Sequence, residues 1–121
     1  MSGVHDDTPR STKESAISTV ATTITLTLDD VAAGKSHCFA GVRFFADSSG
    51  STPATPGAGT VTITVETSPT APVFEAVPSN VITAATPTTV NWGAPTKRVR
   101  ATPDSITVAT HYQLVVDSMK D

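Results

Sequence analysis

In the stretch TTITLTLDD, Ile24, Leu26 and Leu28 alternate with Thr23, Thr25 and Thr27. Alternation of period two puts the two sets on opposite faces of a β-strand, one buried and one wet. Threonine suits the wet face because its branched side chain fits the pleat. TVTITVET repeats the pattern, with Val61, Ile63 and Val65 against Thr60, Thr62 and Thr64. HCFAGVRFFAD is denser in apolar residues, Val42 and Phe44 alternating with Arg43 and Phe45. It predicts a central strand or one covered on both faces.

The span from Ser68 to Pro95 carries five of the nine prolines. That density precludes helices and predicts short extended pieces, VFEAV, NVI and TTVNW. KRVRAT and THYQLVVD close the chain as a strand–turn–strand hairpin through Pro103-Asp104-Ser105. Ser48 to Gly59, SSGSTPATPGAG, reads as a long exposed hairpin loop, since neither flank is large enough to stand as a domain. Nowhere do apolar residues recur at the spacing of three and four that a helix needs. Roughly seven to nine short strands separated by turn signals predict an all-β fold, an antiparallel β-sandwich of jelly-roll or immunoglobulin-like type, or a small barrel.

Residues 1–14, MSGVHDDTPRSTKE, are polar, mixed in charge and without periodicity. They predict a flexible N-terminal arm that orders against a neighbour. Residues 15–121 then form one sandwich domain, because a chain of 121 residues supports a single core. With aromatics at 5%, that core must be built mainly from Val, Ile, Leu and Ala, and is expected to be thin.

A net charge of −3 argues against a dedicated nucleic-acid binder, which presents a basic surface. One cysteine, Cys38, rules out an internal disulfide and any thiolate zinc site; a buried, inert thiol is expected. No apolar run approaches a membrane span and no signal-peptide pattern opens the chain, so the expectation is a protein made in a reducing cytoplasm.

Catalytic chemistry finds little support. There is no G-x-S-x-G elbow to strain a serine, and His5, His37 and His111 lack metal-ligand spacing. Glu66 and Glu75 could face each other on neighbouring strands as a glycosidase pair does, but solvated glutamates are expected. No enzyme, cofactor or metal is therefore predicted. Tyr112, at the entry of THYQLVV, has the setting of a tyrosine corner, its ring in the core and its hydroxyl on a backbone group. Arg98 and Arg100 fall on one face of their strand, about 7 Å apart, and are expected outward. They are protein-contact candidates, together with Trp92 and the arm's Arg10 and Lys13. Trp92, Tyr112 and Phe74 are also the residues available to stack on a sugar.

GVRFFADSSG, the Pro/Thr/Gly-rich loop and KRVRATPDSITVATHYQLVV together give the last two-thirds of the chain a resemblance to small all-β structural proteins of tailed bacteriophages. The resemblance implies a virion component, most specifically a head decoration (cement) protein. Such proteins are often jelly rolls and dimers or trimers, with the major capsid protein as partner. A tail, collar or fibre-attachment protein is the alternative within that class; a carbohydrate- or receptor-binding module is the reading outside it.

Overall fold

The structure is a computed structural model and describes residues 10–28, 35–66, 74–83, 89–92 and 96–120. Among these there is no helix. Nine strands run in chain order: β1 (Arg10–Glu14), β2 (Ser18–Thr19), β3 (Ile24–Thr27), β4 (Lys35–Phe45), β5 (Thr60–Glu66), β6 (Phe74–Thr83), β7 (Thr89–Trp92), β8 (Arg98–Asp104) and β9 (His111–Lys120). They form two antiparallel sheets. The first has the order β1-β9-β4-β7, with β2 also on β9, and the second the order β3-β8-β5-β6.

This order resolves the choice between sandwich types. If β1 and β2 count as one interrupted strand, the pairs are first with last (β1/β2 with β9), then β3 with β8, β4 with β7 and β5 with β6. Successive pairs alternate between the sheets, and β4–β9 and β5–β8 close them. One long antiparallel ribbon folded over itself in this way is a jelly roll. Among the described residues, β5 and β6 are the only consecutive strands that pair.

Two predicted hairpins are therefore corrected. Ser48–Gly59 joins β4 to β5, which belong to different sheets. Pro103 and Asp104 are not a turn but the last two residues of β8, paired with Val61 and Thr60, and the segment from Ser105 to Thr110 leads to β9 in the other sheet. Period-two alternation says which side chains point inward, but not which sheet receives the strand. The first crossover is tied down rather than free. Ala46 N–H donates to the Thr52 carbonyl at 2.8 Å, Ala54 N–H to Phe44 at 2.9 Å, and Val108 N–H to Pro56 at 3.1 Å. Gly59, at φ 98°, lies so close to the Ser105 carbonyl that a Cβ would sit 2.3 Å from its oxygen.

The predicted arm also needs a new boundary. Its last five residues are β1, paired from Arg10↔Met119 to Glu14↔Val115; residues 1–9 lie outside the described part. A polar segment can be an edge strand because backbone groups, not side chains, make the ladder. The pieces FEAV and NVI contribute the two halves of one strand, β6; Val73, the first residue of the predicted VFEAV, lies outside the described residues. The register with β5 jumps between Thr62↔Val81 and Thr64↔Ala76, and Pro78 sits in that irregularity, where its missing N–H interrupts no ladder bond.

The alternation itself is as expected. Ile24, Leu26, Val61, Ile63, Val65, Val99 and Ala101 point inward from the second sheet. Cys38, Ala40, Val42, Phe44, Val90, Trp92, Tyr112, Leu114 and Val116 meet them from the first. β4 is flanked by β9 and β7, the central position its composition predicted. Phe45 points away from the core yet is buried, and Gly50 of the crossover lies against its ring.

Candidate contact surfaces

The outer face of the second sheet is a regular polar array. Register places Thr25, Arg100 and Thr64 in one row across β3, β8 and β5, and Thr27, Arg98 and Glu66 in the next. Thr102 and Thr62 follow, with the exposed Val81 beside them on β6. Arg98 and Arg100 are thus on the outward face, as their spacing predicted.

Arg98 is nevertheless committed within the chain. Its Nε and Nη2 both donate to Glu66 Oε1, at 3.1 and 3.0 Å. Glu66 is only 1% exposed, and among the described residues its Oε2 has no hydrogen-bond partner. The expectation of a solvated Glu66 is corrected. It lies on the outer face by alternation, but Arg98 sits directly across from it and takes its charge. Glu75 pairs with Val65 rather than Glu66, so register does not bring the two glutamates into the facing position a glycosidase needs. Arg98 is consequently an internal ion-pair partner first; Arg100 is half-buried in the middle of the threonines.

Trp92 is a correction too. It is 7% exposed, packed in the core, with Nε1–H donating to Thr96 Oγ1 at 2.7 Å. The inward phase of TVNW buries it, so it cannot anchor a partner. Tyr112 behaves as predicted: it is fully buried, and its single O–H donates to the Thr22 carbonyl at 2.5 Å, with the Ala101 carbonyl a second, longer acceptor at 3.2 Å. Burial pushes its phenol up to about 12. Neither ring is available as a sugar platform; the Phe74 side chain lies outside the described part.

On the first sheet's outer face, Arg43 Nη1 donates to Glu14 Oε2 at 2.8 Å and to Gln113 Oε1 at 3.3 Å. Beside it, Gly41 leaves a shallow depression of about 230 Å³ between Phe39, Thr89 and Val115. An apolar groove of about 640 Å³ opens between the β4 edge, from Val42 to Phe45, and the crossover residues Pro53–Gly57. Of the arm's candidates, Lys13 is half-buried opposite Val116, and Arg10 is placed by its backbone alone. Among the described residues no three His, Cys, Asp or Glu side chains converge as a metal site would require. His111 Nδ1 is 2.8 Å from Thr110 Oγ1. Cys38 is buried, as expected. The Glu66–Arg98 and Glu14–Arg43 pairs were not legible from sequence, since each joins residues remote in the chain through a register no local signal encodes.

Fold and surfaces together define a jelly-roll sandwich whose polar chemistry is spread over the outer sheet faces. The chain belongs to a family described as a domain of unknown function, DUF7265, which matches residues 10–120. No curated protein matches the sequence. Among solved structures it is similar to a chain of Bacillus endospore appendages, described as a novel family of disulfide-linked pili. The TM-score is 0.44 and the identity 11%, over 95% of this chain and 92% of that one.

Proposed function

We propose that this chain is a non-enzymatic structural module of a virion, specifically a decoration (cement) protein that binds across subunits of a tailed-phage head. The observation that carries the reading is the threonine-rich outer face of the second sheet, where Thr25, Thr64, Thr102 and Thr62 surround Arg100. Such a face offers rows of threonine hydroxyls to a broad protein surface.

The size of that face sets a further condition. Four strands about 4.8 Å apart, of four, seven, seven and ten residues at about 3.3 Å each, cover a projected area of roughly 450 Å². A stable interface takes about 800 Å² from each partner. The reading includes a dimer or trimer, whose faces would bind together and gain from multivalency. Attachment to the folded state alone then adds stability by mass action, which suits a thin core.

The test is the copy number in purified particles of the phage that encodes the chain. Decoration requires copies in fixed proportion to the major capsid protein. A handful of copies at a single vertex would move the protein to the tail or collar, and its absence from the particle would end the virion reading.

A further inference from the structure

We infer that β1 is an exchangeable strand, able to leave its own β9 and pair in the same register with β9 of a second copy. This inference goes beyond the proposed function and does not depend on which larger assembly the chain joins.

The sheets have four edges, and three are anchored by core side chains. β7 buries Val90 and Trp92, β3 buries Ile24 and Leu26, and β6 buries Ile82. β1 differs. None of its described side chains, Thr12, Lys13 or Glu14, belongs to the core. Backbone pairing to β9 holds it, with exposed polar contacts that include Thr12 Oγ1 to Asp117 Oδ1 and Arg43 to Glu14. Elements with few buried apolar contacts open at the lowest free energy.

The chain is also built to let β1 leave alone. From Glu14 to Ser18 is four residue steps, while the paired residues on β9, Val115 and Tyr112, are three apart. The extra residue is a bulge that separates β1 from β2. Beyond it β2 keeps its own pairing, and Val20 packs against the core. Release of β1 would bare residues 115–119 of β9, a strand kept extended by β4 on its other side. A bare, preformed edge is a template for a new strand.

The occupant that fits is the same segment of another copy. A second β1 brings Thr12 to Asp117 and Glu14 to Arg43, restoring these contacts, which is how domain swapping joins identical chains at low cost.

The experiment uses two full-length variants, Thr12→Cys and Asp117→Cys, each carrying one new thiol beside the buried Cys38. Register makes positions 12 and 117 direct partners. Ser15 and Leu114 bond to each other across the strands, Ser15 N–H to the Leu114 carbonyl and Leu114 N–H to Ser15 Oγ, so positions 12 and 117 form a non-hydrogen-bonded pair, the close spacing a disulfide accepts. The two variants are mixed at high concentration under native conditions, then oxidised. Exchange predicts a disulfide-linked species of twice the 12.4 kDa chain mass, with peptide mapping joining positions 12 and 117. The doubly substituted single chain, which closes the bond internally, controls for folding and geometry. If that chain forms its internal disulfide while the mixed variants yield nothing above the Cys38-only background, β1 does not exchange. Links between two copies of position 12 alone would overturn the inference too, because they would mean edge-to-edge association.

Discussion

Replacing Tyr112 by Phe removes one oxygen from the centre of the sandwich and leaves the ring in place. The hydroxyl serves the Thr22 and Ala101 carbonyls. Thr22 is exposed and can turn to water, whereas Ala101 is fully buried. A net hydrogen bond is worth about 1 kcal/mol, and a buried acceptor left short of its donor adds up to about as much again. The expected loss is therefore about 1–2 kcal/mol, or roughly 4–8 °C in midpoint for a chain of this size. Urea unfolding followed through Trp92, the chain's single tryptophan, reads the effect directly. The urea midpoint should fall while the slope stays constant, since the surface exposed on unfolding barely changes. An unchanged midpoint would refute the capping role. Tyr112 is also the sole tyrosine, so its phenolate absorbance is unambiguous. It should titrate near 12 rather than 10. Because the folded value is the higher one, the stability linked to this proton is complete below pH 10 and is lost as pH rises towards 12.

Arg98→Ala should cost about 2 kcal/mol. Stranding a wholly buried charge costs about 3–5, and water reaching past Arg98, whose side chain is 35% exposed, reduces it. A double-mutant cycle with Glu66→Gln should return much of that loss, and additive effects would deny the pairing. Gly59→Ala should destabilise by more than about 1 kcal/mol, since it combines a positive φ with a clash against backbone; a neutral result in the same urea assay would contradict the turn geometry. Asp47 accepts hydrogen bonds from Ser49, Ser51 and Thr52 N–H, which hold its carboxyl down to about 2. Its hold on the crossover is complete above about pH 4 and lost as pH falls through 2, so an NMR titration showing an ordinary carboxylate value would refute those contacts.

Much of the fold was readable because alternation reports burial directly. Thr25 and Leu26, or Thr62 and Ile63, differ in environment for a reason local to the strand, and the tyrosine corner follows from Tyr112 opening such a strand. Pairing was not readable. Arg98 lies 32 residues from Glu66, and they meet only because β8 inserts between β3 and β5. RSTKE shows no alternation because β1 lies on the edge of β9 with no described side chain in the core. Trp92 looked like a contact residue because tryptophan is common in interfaces, yet its phase in TVNW already pointed inward.

The most direct measurement is a titration of the purified chain onto expanded, undecorated capsid shells, run beside Arg100→Glu. The account predicts saturable binding by the native chain and weaker binding by the variant. Failure of the native chain to saturate the shells would contradict it.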